Sequence, residues 1–174
     1  LNFIEIQPDG ELILDKLDNL FQDNAKFLSL THVSNVLGTI NPIKDIISKA
    51  HEHGITTLVD AAQSVPHMPV DVQDLDSDFF VFSGHKMLGP SGIGVLHAKK
   101  TLLENMEPFL YGGDMISNVS LREAQWNDVP WKFEAGTPNI AGAIGLGKAV
   151  DYLNQIGMDV VHNHEQELYN YAID

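Results

Sequence analysis

Lys86 stands in a short polar segment, Ser83-Gly84-His85-Lys86, that directly follows an apolar run of the chain. A lysine in a partly desolvated site is a nucleophile that can attack a carbonyl carbon to form an imine. The hydroxyl of Ser83 and the ring of His85 can donate hydrogen bonds to a phosphate group. This segment therefore has the groups to attach covalently to a carbonyl compound that carries a phosphate, although a lysine in a glycine-rich loop is usually a solvated charge and a single histidine such as His85 is more often structural.

Asp60 and Gln63 follow a second apolar run, which extends from Thr56 to Val59. A carboxylate that emerges from a buried strand needs a cationic partner or strong hydrogen-bond donors to stay charged. The protonated ring nitrogen of pyridoxal 5'-phosphate (PLP) is such a partner, and its protonation makes the ring an electron sink. The Gln63 amide can donate a hydrogen bond to the ring oxygen. Together with Lys86, these two residues predict a PLP site.

A third polar segment, Thr31-His32-Val33-Ser34-Asn35, follows another apolar run. In open parallel sheets, ligands bind beyond the carboxyl ends of the strands. We therefore expect Asn35, Asp60 and Lys86 to lie at one edge of a sheet. Each residue alone has an ordinary structural explanation, because an aspartate after a strand is commonly a turn or cap residue. The prediction depends on the combination.

The elements that must position these residues alternate between short apolar runs and helical patterns, which is typical of an α/β fold. The strands predicted at 56–59 and 79–82 are apolar on both faces, as in a mostly parallel sheet covered on either side by helices. A further strand, at 93–96, follows a gap too short for a helical crossover, so it is predicted to be antiparallel. The other predicted elements are a strand at 26–31 and helices over 11–21, from Asn41-Pro42 to Gly54, over 138–155 with Thr137 as the N-cap, and from 159 to the end. The second of these helices has Asn41 as its predicted N-cap, and its predicted apolar face consists of Ile43, Ile46, Ile47 and Ala50.

The composition narrows the classes of partner. The chain has 24 acidic and 10 basic side chains, for a formal net charge of -14. Such a surface repels nucleic-acid backbones and anionic lipid headgroups, which argues against nucleic acid and membrane as partners. The absence of cysteine from the chain excludes disulfides, thiolate metal sites and cysteine nucleophiles within it. The chain also begins without Met, apparently within a strand, so we expect a fragment of a longer protein.

The polar segments resemble the class V aminotransferase family, and most closely its group II cysteine desulfurases, which are similar to selenocysteine lyases. The resemblance covers essentially the whole chain and is carried by residues 31–38, 59–63, 82–90, 112–116 and 133–139. It implies that residues 1–174 form a single domain, the central part of the large domain of fold type I PLP-dependent enzymes. That domain is a three-layer α/β/α structure. The resemblance also implies a cytoplasmic homodimer.

The resemblance assigns a role to each matching residue. Lys86 would hold PLP as a Schiff base and shuttle protons, and Asp60 would pair with the ring nitrogen. The remaining roles would be Gln63 at the ring hydroxyl oxygen, Ser83 and His85 at the phosphate, Asn35 at the substrate carboxylate or ring oxygen, and Thr137 at the phosphate bound by the neighbouring subunit. The family reaction converts L-cysteine, or L-selenocysteine in the related lyases, to alanine. The sulfur passes to an acceptor protein, commonly for iron–sulfur cluster assembly.

Several family features have no match here, namely an upstream phosphate-binding loop, a histidine that stacks on PLP, a downstream cysteine and substrate-binding arginines. Arg122, the only arginine, lies outside the equivalent segment. We interpret this as truncation at both ends, with the N-terminal phosphate-loop segment and the C-terminal small domain missing. The isolated chain is accordingly expected to be inactive, to bind PLP weakly or not at all, and to self-associate through exposed sheet edges.

Two alternatives remain open. One keeps PLP but changes the reaction, to that of an aminotransferase or a kynureninase-like lyase. The other is a non-catalytic α/β interaction module, against which the presence of both Lys86 and Asp60 argues. The downstream cysteine of the longer sequence would separate the desulfurase from the other enzymes.

Four further patterns are not interpreted as functional sites. The acidic run of Asp71, Asp74, Asp76 and Asp78 lacks the glycine and glutamate of an EF-hand loop and is predicted to be a solvated connection. The other three are the pair His162 and His164, interpreted as helix-surface residues, the Asn118-Val119-Ser120 sequon, and Gly142, Gly145 and Gly147, interpreted as helix-packing glycines.

Overall fold

In the computed structural model, which describes residues 1–22 and 24–173, four strands form one sheet in the order β1-β2-β3-β4. β1, β2 and β3 are parallel to one another, and β4 is antiparallel to β3. The α/β fold, the mostly parallel sheet and the direction of the fourth strand are therefore confirmed. The bounds are β1 Phe27–Thr31, β2 Thr56–Asp60, β3 Phe79–Ser83 and β4 Gly94–Ala98.

The helices and a small second sheet surround this framework. The helices are α1 Leu17–Gln22, α2 Ile43–Glu52, α3 Val72–Leu75, α4 Lys100–Asn105, α5 Ile140–Ile156 and α6 Met158–Ile173. The second sheet is an antiparallel pair of β5 Ile116–Val119 and β6 Ala124–Trp126. Two 3₁₀ turns lie at Gly84–Lys86 and Trp131–Phe133.

The helix predicted over 11–21 is wrong in its first half. Gly10, with a φ of 91°, turns the chain back on itself, and Leu12 then forms an antiparallel bridge with Ile6. The Ile13 N–H donates to the Glu5 carbonyl at 2.8 Å. The apolar residues of this stretch therefore pair as extended chain, and the helix begins only at Leu17.

The helix α2 presents the predicted face, since Ile43, Ile46, Ile47 and Ala50 are all buried. Its predicted N-cap is wrong: the Asn41 side chain donates to the Thr31 carbonyl at 2.8 Å instead of capping the helix. This bond fastens the start of α2 to the end of β1. Gly54 ends the helix region as predicted, with a φ of 67°.

The core lies mainly on one face of the sheet. Alternation along the strands places Leu30, Val59, Phe80 and Phe82 on that face, and these residues join the buried clusters formed with α1, α2 and α5. On the opposite face, Leu58 and Val81 are only partly buried. The described part of the chain thus supplies mainly one of the two helical layers expected on the sheet.

The acidic run is not simply a solvated connection, and this prediction is wrong for Asp78. Asp71 caps α3 by accepting from the backbone of Gln73 and Asp74, whereas Asp78 is buried at the start of β3. The Asp78 carboxylate accepts from the Thr57 N–H at 2.8 Å, and it contacts His51 at 2.9 Å and Lys99 at 3.1 Å. These partners of Asp78 are distant in sequence, so the local charge pattern does not reveal them. Their contacts allow the carboxylate to be buried.

These contacts set the charge of the Asp78 network. Burial alone would raise the pKa of Asp78, but the hydrogen bonds from Thr57, His51 and Lys99 outweigh burial and hold the pKa below its usual range. The Lys99 pKa is raised, because Asp76 and Asp78 outweigh the opposing effect of its own burial. Both groups are therefore charged at neutral pH.

The described residues offer neither a metal site nor a membrane span. They contain no cluster of histidine and carboxylate side chains arranged to bind a metal ion. No helix among them has the length and apolar character needed to span a bilayer.

Candidate active site at the carboxyl ends of the strands

The strand register places the three polar segments at one rim of the sheet. Thr31, the last residue of β1, pairs with Asp60, the last residue of β2. Asp60 in turn pairs with Val81, two residues before the end of β3. Because the strands are parallel, the segments that follow them leave the sheet on the same side. This edge is called the carboxyl rim below.

Asp60 is exposed at the carboxyl rim and retains an unused acceptor. One carboxylate oxygen accepts from the Ala62 N–H at 2.9 Å, a bond that fixes the orientation of the side chain. In the described ranges, the second oxygen has neither a hydrogen-bond donor nor a cationic partner. This atom can accept a hydrogen bond from a protonated ring nitrogen, which is what a PLP site requires of it.

Ser83, His85 and Lys86 lie together where β3 ends. The Ser83 hydroxyl and the Nδ1 atom of His85 are 2.8 Å apart, so the two side chains orient each other. Lys86 closes the 3₁₀ turn, is exposed, and forms no ion pair with the described residues. A lysine amine with no competing carboxylate is available for covalent attachment to a carbonyl group.

Residues 84–92, called the lysine loop below, hold Lys86 through a tight backbone conformation. The N–H groups of Met87 and Gly89 donate to the Gly84 carbonyl, at 3.0 and 2.9 Å, so the loop closes on itself. Gly84 donates to the Ile93 carbonyl at 2.9 Å, which ties the loop to the start of β4. A side chain at Gly89 would place its Cβ 2.8 Å from the Gly84 oxygen, so glycine is required there.

The lysine loop also contains a residue in an unfavourable conformation. Leu88 has a φ of 65°, a region that non-glycine residues rarely occupy. Such conformations persist only where surrounding contacts hold them in place, and they concentrate at functional sites. Neighbouring structure must therefore stabilise the loop that carries Lys86.

Asn35 and Gln63 lie on turns at the same rim. Ser34 organises the first turn, because its hydroxyl accepts from the N–H groups of Val36 and Leu37 at 3.3 and 3.1 Å. Asn35 is exposed at the tip of that turn. Gln63 is partly buried in the turn after β2, beside Ser64, whose hydroxyl donates to the Ala61 carbonyl at 3.2 Å. The structure thus brings every predicted site residue but Thr137 to the ends of adjacent parallel strands.

Thr137 does not cap α5, so this part of the prediction is wrong. The helix begins at Ile140, and its N-cap is Asn139, whose side chain accepts from the Gly142 N–H at 3.0 Å. Thr137 is exposed on the preceding loop. Both residue types are good caps, and the glycine at 142, which leaves space for the Asn139 amide, is the local signal that favours Asn139.

Two residues beside the candidate site were not found by sequence reasoning. One is Asn139, which also contacts the lysine loop. The other is His32, which is 6% exposed and whose Nδ1 atom has no partner among the described residues. Burial lowers the pKa of His32, so the ring is neutral. For His32, the one sequence signal is its place in the polar segment after β1.

The chain is similar in sequence to known proteins of one family. The sequence model described as aminotransferase class-V matches residues 1–174. Over 174 residues the chain is 54% identical to a probable cysteine desulfurase of Halalkalibacterium halodurans, of which it covers 43%. It is 53% identical to a cysteine desulfurase of Escherichia coli, with 99% of this chain and 43% of that protein covered. The chain therefore spans less than half the length of these relatives.

Solved structures give the same result. The apo structure of a cysteine desulfurase from Thermococcus onnurineus superimposes with a TM-score of 0.94 at 41% identity, over 98% of this chain and 43% of that one. A crystal structure of a cysteine desulfurase from Escherichia coli superimposes with a TM-score of 0.87 at 42% identity, over 90% of this chain and 39% of that one. The fold is therefore that of these PLP fold type I enzymes, and the chain belongs to the class-V aminotransferase family.

Proposed function

We propose that the protein carrying this chain is a PLP-dependent cysteine desulfurase and that the chain supplies the PLP-binding centre. The observation that supports this most strongly is the position of Asp60 and Lys86, each with an unused polar group, after neighbouring parallel strands at one rim. The sequence identity to cysteine desulfurases favours this chemistry over others that the same rim might serve.

Each residue of the rim would have a separate task in holding the cofactor. Lys86 would attach it through Nζ, and the free oxygen of Asp60 would accept the hydrogen bond of its ring nitrogen. Bound PLP would supply a positively charged ring that stabilises negative charge at the substrate α-carbon. The remaining contacts would be Gln63 and Asn35 at the ring oxygen or substrate carboxylate, Ser83 and His85 at the phosphate, and Thr137 at the phosphate of a second subunit.

The amine of Lys86 would also act on the substrate. A lysine at this position could accept a proton from bound substrate and return it to another atom. The bond between Ser83 and His85 would hold the phosphate donors immediately before Lys86, so the groups that would bind the phosphate and the amine that would transfer protons are separated by one turn of chain. This arrangement would allow the phosphate donors to retain the cofactor while the lysine changes partner.

We further propose L-cysteine as the substrate, an acceptor protein for the sulfur, iron–sulfur cluster assembly as the purpose, and a cytoplasmic homodimer as the active form. L-Selenocysteine is the alternative substrate. The names of the relatives support cysteine. The exposed position of Thr137, away from the Lys86 segment in sequence, is consistent with a role at a neighbouring subunit.

The decisive experiment locates the covalent attachment. The protein is incubated with PLP, reduced with borohydride, digested and examined by mass spectrometry. We expect the modified peptide to contain Lys86, since this is the amine of the rim without a carboxylate partner. Lys86→Ala should abolish the modification and lower sulfide release from cysteine by at least about 100-fold, as expected for loss of a proton-transferring group.

The matched control is Lys148→Ala, which removes an exposed lysine on α5 that pairs with Asp151 at 3.0 Å. It should leave both the modification and the activity unchanged. Modification that persists in Lys86→Ala would refute the assignment of this lysine. Attachment at Lys86 without sulfide release would instead favour another class V reaction, such as that of an aminotransferase.

A further inference from the structure

The helix α5 packs directly on the lysine loop, and Asn139 makes the polar contact between them. The Nδ2 atom of Asn139 donates to the Gly92 carbonyl at 3.1 Å. Its Oδ1 atom accepts from the Gly142 N–H at 3.0 Å, as the N-cap of α5. One amide group therefore joins the first turn of a 17-residue helix to the last residue of the loop that carries Lys86.

Asn139 is exposed, but its two hydrogen bonds and the close approach of Gly142 restrict its side chain. A Cβ at Gly142 would lie 2.7 Å from the Asn139 Cγ, so the helix keeps a glycine where the amide sits. The two partners also fix which way the amide faces, because one is a donor and the other an acceptor. Aspartate can perform the capping part but has no donor, and serine can cap with a hydroxyl that ends one atom short of the Nδ2 position.

Apolar contacts support the same joint. A Cβ at Gly145 would lie 2.9 Å from the Pro90 Cγ, so α5 approaches the loop as closely as a glycine allows. Leu146 of α5 is buried, and its Cδ1 lies 3.1 Å from the position of a Cβ at Gly89. These contacts hold Gly89 and Pro90, which directly follow Leu88, the exposed residue whose φ of 65° needs external support.

We infer that Asn139 is a positioning residue, which sets the place of Lys86 by fastening the lysine loop to the N-terminus of α5. This inference rests on the proposed function. Asn139 is not proposed as a cofactor ligand. Its effect passes through Gly92 and the closed loop to Lys86.

The test distinguishes the two functions of Asn139, namely capping α5 and binding the lysine loop at Gly92. Asn139→Asp and Asn139→Ser keep an acceptor for the Gly142 N–H. The aspartate has no donor for the Gly92 carbonyl, and the serine hydroxyl ends one atom short of the position of the Nδ2 donor. In the cofactor-free protein, amide hydrogen exchange at Gly84, Met87 and Gly89 should become about five- to tenfold faster, as expected for loss of one hydrogen bond. The exchange of α5 amides should not change, because the cap is retained. Gly147→Ala, at a position with no neighbour within 4 Å, is the control on the same helix.

In the PLP-loaded protein, the same variants should lower kcat by about 10- to 100-fold with little change in KM, since a small misplacement of the amine affects the reaction more than binding. The pH dependence of cofactor absorbance should also shift, which a purely structural cap would not produce. Unchanged exchange of the loop amides in both variants would overturn the inference. That readout needs no cofactor, so it stands or fails separately from the attachment of PLP to Lys86.

If Asn139→Asp unfolds α5, Asn139→Ser still provides the test. Serine is a small neutral cap and introduces no charge beside the Gly92 carbonyl. Faster exchange confined to the lysine loop would support the inference. Faster exchange throughout α5 in both variants would overturn it, since the residue would then act only as a cap.

Discussion

The two ends of the main sheet use the same residue types in opposite ways. At the amino ends of the strands, Asp78 contacts His51 and Lys99 and is buried. At the carboxyl rim, Asp60 and Lys86 are exposed and have no ionic partner among the described residues. Polar groups whose hydrogen bonds and ion pairs are made within the protein stabilise the fold, whereas polar groups without such partners are available to a ligand. The pattern of partners, more than the residue types, distinguishes the structural end from the candidate active site.

Among substitutions that test this difference between the two ends, we expect Asp60→Ala to have the largest effect. Asp60→Ala removes the proposed acceptor of the ring nitrogen, so the rate of sulfide release in the PLP-loaded protein should fall by about 100- to 1000-fold, as for loss of one preorganised electrostatic contact. Urea unfolding should change by less than about 1 kcal/mol, because the side chain is exposed. If Asp60→Ala instead lost stability and retained activity, the roles assigned to the two ends of the sheet would be reversed.

The opposite result is expected at Asp78. Asp78→Ala leaves the Thr57 N–H buried without an acceptor and removes the carboxylate beside Lys99, which together should lower the free energy of unfolding by about 3 kcal/mol. Urea unfolding measures this change. The folded fraction should keep its affinity for PLP, since the network lies at the other end of the strands. Asp60→Ala is the matched control, and equal destabilisation by the two variants would contradict the distinction.

A smaller, pH-dependent effect follows from the lowered pKa of Asp78. Because its pKa is lower in the folded than in the unfolded protein, its contribution to stability is complete above the unfolded value of about 4. The contribution is lost as the pH falls through the folded pKa. This is tested by measuring the urea midpoint of unfolding from pH 7 downward. Below about pH 4, the midpoint of Asp78→Asn should decrease less than that of the parent protein. Parallel curves for the two proteins would show that another group controls the acid transition.

Sequence patterns were sufficient for the strands and for the rim that they create. Apolar runs that end in polar residues predicted β1, β2 and β3, and parallel strand direction alone then placed Asp60 and Lys86 at one edge. The antiparallel β4 followed from the short gap after Lys86. These features depend on local spacing and on general rules of chain connection, so a single sequence contains them.

Features that depend on distant partners were missed. The acidic run gave no sign that Asp78 would be buried, because His51 and Lys99 are 27 and 21 residues away. The cap of α5 was assigned to Thr137 two residues early, since the choice of Asn139 depends on Gly142 and on a bond across to Gly92. Likewise, the turn at Gly10 pairs residues 11–13 with an earlier segment that no helical periodicity reveals.

A crystal structure of the PLP-loaded protein would show whether the carboxyl rim holds the cofactor as proposed. We expect continuous density from the Lys86 Nζ to the cofactor, with the ring nitrogen within hydrogen-bonding distance of an Asp60 carboxylate oxygen. Cofactor bound with its ring nitrogen turned away from Asp60, or held at another lysine, would contradict the proposal.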